Sequence, residues 1–163
     1  MAIAIPTPYE IVSNPEGFAA AFLKIQDKQK NLVPLQWNAV QRKLHTSRTG
    51  RDLVLKARQM GVTTYLQGEL FRRAVTSSRG CLTLTQDTDS TELLRLMADR
   101  FFENSQFNGI KPERKYANST LTTYPEFDSA VAIGTAGKLT VGRGATFTDI
   151  HGSEVAFWPD AEK

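Results

Sequence analysis

A short apolar run, a four-residue turn and a helical stripe, followed by the same alternation again, constrain this chain more than any other feature. Asp52-Leu-Val-Leu-Lys-Ala57 is apolar without alternation, the pattern of a strand buried on both faces. Arg58-Gln-Met-Gly61 is too short to be anything but a tight connection. The stretch Thr63–Ala74 then sets Leu66, Leu70 and Phe71 on one helical face. Cys81-Leu-Thr-Leu-Thr85 reads as a second strand, and a helix from about Ser90 to Phe102 sets Leu93, Leu94, Met97 and Phe101 on one stripe. Strands alternating with helices of this length imply a parallel sheet covered by helices.

Composition narrows the class. At roughly 150 residues per domain, 163 residues make one domain with a core of useful size. With 40% hydrophobic and 23% charged residues, the chain is neither a disordered tail, a collagen-like fibre nor a coiled coil. One cysteine, Cys81, excludes a disulfide framework and a Cys-rich zinc site, and its apolar strand makes it core packing. No apolar run approaches the ~18 residues of a spanning helix, and Met1-Ala-Ile-Ala-Ile-Pro6 lacks the basic start of a signal peptide. A soluble intracellular domain is expected. The formal net charge of +3 permits a nucleic-acid partner without demanding one.

The flanks are read the same way. Pro6-Thr-Pro8 makes an extended lead-in, and Asn14 caps a helix that starts at Pro15 and carries Phe18, Phe22 and Ile25. A second helix is expected from about Leu35 to His45, with Trp37, Val40, Gln41 and Leu44 on one stripe. Leu121–Tyr124 and Ser129–Ile133 flank a Pro-Glu-Phe-Asp turn and read as an antiparallel pair. Thr135–Gly144 is Gly-rich and loop-like, and Phe147–Glu154 reads as a closing strand ending in an acid. Residues 1–34 thus form a lead-in with a helix, and 35–163 the main domain. His45 and His151 lack metal-ligand spacing, and Trp37 and Trp158 are expected as packing anchors.

The strand, turn and helix at 52–74 are also what a phosphate-binding loop requires, with a helix N-terminus beneath the anion, a Lys for the phosphates and a Ser or Thr for Mg²⁺. The usual G-x-x-x-x-G-K-[ST] is broken here. Gly61 and Thr63 hold their places, but Val62 stands at the Lys position and Ala57, not Gly, precedes Arg58. By itself this is an ordinary connection. Together with three further segments, Lys56-Ala-Arg-Gln-Met-Gly-Val-Thr-Thr64 resembles the deviant Walker A of large terminase subunits, the ATPases that pump DNA into tailed-phage procapsids. In part of that family the Lys stands five residues before the Gly, as Lys56 does before Gly61. Leu35-Gln-Trp-Asn-Ala-Val-Gln41 is similar to the adenine-reading segment, and Val141-Gly-Arg-Gly-Ala-Thr146 to the Arg-Gly segment ahead of Walker B. Asp149-Ile-His-Gly-Ser-Glu-Val-Ala156 resembles Walker B itself. The resemblance covers roughly residues 30–160.

The resemblance implies a three-layer P-loop NTPase (RecA/ASCE-like) α/β fold with a mainly parallel sheet, incomplete toward the C-terminus. ATP and Mg²⁺ would be the cofactors. Lys56, Arg58, Gln59, Met60, Gly61, Val62, Thr63 and Thr64 would hold the nucleotide's phosphates, Gln41 its adenine, and Thr63 and Ser153 the Mg²⁺. Glu154 would orient the attacking water, and Arg143 would act as an arginine finger on a neighbouring subunit's ATP. Ser153 stands where the family usually has Asp, and Asp149 lies on the same side of the strand but too far back to substitute. The implied partners are double-stranded DNA, the portal protein, the small terminase subunit and further copies in a ring on the portal, in the cytoplasm of a bacterial host and with no membrane. The chain would be the N-terminal part of the ATPase domain without the nuclease domain, monomeric and weakly active or inactive by itself. An inactive terminase remnant, an interaction module, or another RecA- or helicase-like ATPase are the alternatives.

Overall fold

The computed structural model describes residues 13–105, 111–116, 120–138 and 146–159. Helix α1 (Pro15–Phe22) leads into a hairpin of β1 (Lys24–Gln26) and β2 (Leu32–Pro34), followed by α2 (Ala39–Ser47) and α3 (Val62–Ala74). Strand β3 (Gly80–Thr85), α4 (Thr88–Asn104), β4 (Lys115–Tyr116), β5 (Leu121–Tyr124), β6 (Ser129–Thr135) and β7 (Asp149–Gly152) complete the order. Five strands form one mixed sheet in the order β4-β5-β6-β3-β7. Strand β3 pairs in parallel with β6 and β7, while β4–β5 and β5–β6 are antiparallel. The fold is α/β as expected, but the sheet is mixed rather than mainly parallel.

Alternation along β3 fixes the layers. Cys81 Sγ faces the Leu70 carbonyl of α3, Thr83 meets Gln67 of α3, and Thr85 meets Thr91 of α4. Because successive odd positions share one side of a strand, α3 and α4 cover the same sheet face. The second helical layer expected on the opposite face is not among the described residues. Between helices and sheet lies a core that includes Phe18, Leu23, Leu35, Tyr65, Phe71, Cys81, Phe101 and Tyr124. Gly68 brings α3 close to the hairpin, since a Cβ there would stand 3.0 Å from Leu23 and 3.3 Å from Leu35.

Several expectations are corrected. Residues 52–57 join no strand among the described residues, and Leu53 and Leu55 are 98% and 101% exposed. An apolar run becomes a buried strand only when a neighbour pairs its edges and a layer covers its faces, and no described residue does either here. The first helix stops at Phe22, and Ile25 lies instead in a hairpin whose turn is tied by Asp27 Oδ1 accepting from the N–H groups of Gln29 and Asn31. Helix α2 starts after Trp37, at a capping box in which Asn38 and Gln41 bond each other's backbone N–H. Leu93 is 65% exposed, so the stripe of α4 keeps Leu94, Met97 and Phe101 and takes in Phe102 in place of Leu93. The antiparallel β5–β6 pair, the closing strand and the packed Cys81 agree with expectation.

Phe101 is fully buried and Leu93 is not, which separates their energetic weight. Phe101→Ala should lower unfolding free energy by about 3–5 kcal/mol in a urea titration. Leu93→Ala should change it by no more than about 0.5 kcal/mol.

Candidate functional site

The chain between Lys56 and the start of α3 turns through two left-handed residues, Gln59 with φ 60° and Gly61 with φ 73°. A non-glycine residue held in that region costs on the order of 1 kcal/mol and persists only where its surroundings impose it. Here α2 imposes it. Asn38 Nδ2 donates to the Met60 carbonyl at 3.3 Å, and Gln41 Nε2 donates to the Gly61 carbonyl at 2.8 Å. Gln41 is 3% exposed, and its Oε1 accepts from Asn38 N at 2.8 Å. Gln41 therefore fastens the loop from behind, with one N–H and one lone pair unused by any described residue.

Gly61 is the N-cap of α3 and provides no side-chain hydrogen bond. Among the described residues, the first N–H groups of this 13-residue helix consequently have no side-chain acceptor. Val62 is 4% exposed and packs inward, which explains why this position holds an apolar residue and cannot present a cation. Thr63 and Thr64 follow, half-buried, on the first turn. Arg58 and Gln59 are exposed on the loop, and Arg58 makes no ion pair with a described residue.

Helix α3 runs antiparallel to β7, and two side-chain contacts set their register. Arg73 forms an ion pair with Asp149, and six residues earlier on the helix Gln67 meets His151 at 3.2 Å. Asp149, His151 and Ser153 share one side of the strand. Continuing the progression by six helical residues and two strand residues reaches Gly61 and Ser153. The ion pair between Lys56 Nζ and Glu154 Oε1, at 3.2 Å, lies at that end. The structure thus brings together Lys56, the loop and Glu154, which are far apart in sequence. Asp149 is held at the other end by Arg73 and, at 3.9 Å, by Arg79, so it takes no part in this site.

Lys56 and Glu154 side chains are 26% and 39% exposed, so their pairing contributes about 0–1 kcal/mol and is readily exchanged for another partner. Glu154 itself has φ 55°, a left-handed turn that swings its carboxylate off the end of β7. Ser153 is 9% exposed, with its N–H bonded to the Leu84 carbonyl and its own carbonyl accepting from Trp158 Nε1. Burial, and secondarily the charge of Lys56, push the His151 imidazole down to about 4, so it is neutral near pH 7. Among the described residues no group of three or more His, Cys, Asp or Glu could hold a metal ion. A cation here would need oxygen ligands from hydroxyls and from whatever anion the loop binds. That is compatible with Mg²⁺, which takes few protein ligands. Arg143 lies outside the described residues.

Sequence reading did not single out Gln67, His151 as its partner, or Asn38. The signal for Gln67 was available, since a polar residue stands three and seven positions before Leu70 and Ala74 on the buried side of the helix. No family model matches this chain, and no curated protein matches it in sequence. Among the described residues, no helix is long and apolar enough to cross a membrane.

Two substitutions test how the loop is held. Gln41→Ala leaves the Gly61 carbonyl and the Asn38 N–H without their partners, and should cost about 1–3 kcal/mol of unfolding free energy. Gly61→Ala should cost a similar amount, because its φ disfavours a side chain and its Cβ would lie 2.8 Å from Gln41 Nε2. Both are read in chemical denaturation followed by circular dichroism.

Proposed function

We propose that this chain is a nucleotide-binding ATPase domain of the P-loop class, of the large-terminase type, whose hydrolysis of ATP drives double-stranded DNA. The observation that supports this reading best is the Lys56–Glu154 pair at the open end of a helix N-terminus, closed across 98 positions of sequence. A polyanion there meets uncapped helical N–H groups, the Lys56 ammonium and the Arg58 guanidinium. Phosphate would compete with Glu154 for Lys56 and leave the carboxylate free to hold and polarise a water. Thr63 and Ser153 would supply hydroxyl oxygens to Mg²⁺, which when bound neutralises charge on the phosphates. The chain's own contribution is positioning and electrostatics, and no covalent intermediate is required.

The wider expectations belong to the same proposal: Arg143 acting on a neighbouring copy, a ring on a portal protein, and a small terminase subunit. A second reading, a non-catalytic interaction module, is favoured by the exposure of Leu53 and Leu55.

Titration with a fluorescent ATP analogue and Mg²⁺ separates these readings. The wild-type chain should bind, and a Lys56→Ala, Arg58→Ala double variant should bind at least about tenfold more weakly, as expected when charge-assisted phosphate bonds are lost. Equal affinity would remove the phosphate-loop assignment. Glu154→Gln should keep or tighten nucleotide affinity, since it removes the internal competitor for Lys56. Its hydrolysis rate should fall about 10²–10⁴-fold, the range of a lost general base.

A further inference from the structure

We infer that Gln67 and His151 are positioning residues for Glu154, forming an interior clamp that fixes the acid-bearing strand β7 against the helix opening at the phosphate loop. The inference rests on the reading of Glu154 as the acid of a hydrolytic site. Gln67 is 4% exposed, so its amide is inside the protein and not on a wet helix face. Its Nε2 donates to Thr83 Oγ1 at 2.9 Å and faces His151 Nδ1 at 3.2 Å. One amide group therefore joins three elements: helix α3, the interior strand β3 and the edge strand β7. Thr83 is fully buried and cannot turn to water for a replacement donor.

The edge position of β7 makes this contact consequential. On one side β7 is hydrogen-bonded to β3 from Asp149 to Gly152, and on the other it has no strand neighbour among the described residues. Its placement over α3 depends on side chains, and among the described residues there are two polar contacts of this kind. Arg73–Asp149 holds the strand's beginning, far from the site. Gln67–His151 lies three residues before Glu154 and is the polar contact that carries the strand's register to its catalytic end. With Nδ1 accepting from Gln67, the imidazole is in its Nε2–H form, and a side chain able to accept at the same place can replace it.

The test compares His151→Leu, which removes the acceptor, with His151→Asn, whose Oδ1 restores it near the Nδ1 position. Gln67→Met removes the donor at similar volume. Mg-ATP affinity is measured by equilibrium titration, and hydrolysis under single-turnover conditions with the full chain in excess, where slow reaction is still counted. His151→Leu and Gln67→Met should each lower the hydrolysis rate about tenfold or more while affinity stays within about threefold, the signature of a contact that matters in the transition state. His151→Asn should stay within about threefold of wild type in both. The double variant Gln67→Met, His151→Leu should be no slower than either single change, because the two act as one unit. If His151→Leu does not fold, His151→Gln, which displaces the acceptor by one bond, takes its place in the comparison. Hydrolysis at the wild-type rate in the Leu and Met variants would overturn the clamp. Parallel loss of affinity, rate and melting temperature would also overturn it, by reducing the contact to fold support. A wild-type chain that binds no Mg-ATP would overturn the reading of the site itself, and the clamp's role with it.

Discussion

The docking of helix α3 against strands β3 and β7 is the constraint from which the rest of the site follows. Its N-terminus opens at a loop forced into left-handed turns, and its body crosses the sheet face over Cys81 and Thr83. Its last turn reaches back to Asp149 through Arg73. A helix that antiparallel to a strand must bring its own beginning to the strand's end. That geometry, more than any local motif, puts Lys56 within 3.2 Å of Glu154. The interior contacts are polar where the sheet edge is reached and apolar where the core is deep, with Tyr65, Phe71 and Ala74 filling the space behind. Polar contacts have directional geometry and so hold register, whereas apolar burial mainly stabilises the compact state.

Helix α2 supports this arrangement from the other side. Its capping box is internal bookkeeping for a helix end, but Asn38 and Gln41 also bond the carbonyls of Met60 and Gly61. One pair of amides therefore starts a helix and shapes the loop ahead of α3 together. Further along α2, His45 Nδ1 and Arg48 both meet the Tyr65 hydroxyl, which sits on the second turn of α3. Burial moves both groups toward their neutral forms, lowering the His45 pKa and raising that of Tyr65 to about 12. The loop is fixed to two helices that are themselves fixed to one another.

Elements with strong periodicity were legible in the sequence. The stripes of α3 and α4, and the two runs around Pro125–Phe127, follow from spacing that a helix or hairpin alone satisfies. Residues 52–57 were not, because an apolar run reports that a strand would be stable if paired, and pairing is a property of the neighbour. The β1–β2 hairpin was missed since its signal is short, and Asp27 makes its turn through side-chain bonds to Gln29 and Asn31. Of the site, the spacing of Lys56, Gly61 and Thr63 and the acid after β7 were visible one by one. Their approach was carried by resemblance, and Gln67 with His151 became visible only when helix and strand were laid together.

The loop that faces the site is anchored unequally. Downstream it continues into α3, and behind it stand Asn38 and Gln41. Upstream, the backbone of residues 53–57 makes no hydrogen bond to another described residue, and its leucines lie in solvent. Such a segment opens at almost no free-energy cost, so its amides should exchange with solvent deuterium far faster than those of α3. Fixing each residue's backbone costs about 1–2 kcal/mol, so an anion that needs Lys56 held still must supply part of that ordering from its own contacts. The affinity of such a cradle for an anion would be set as much by what immobilises the approach to Lys56 as by the charges beside it.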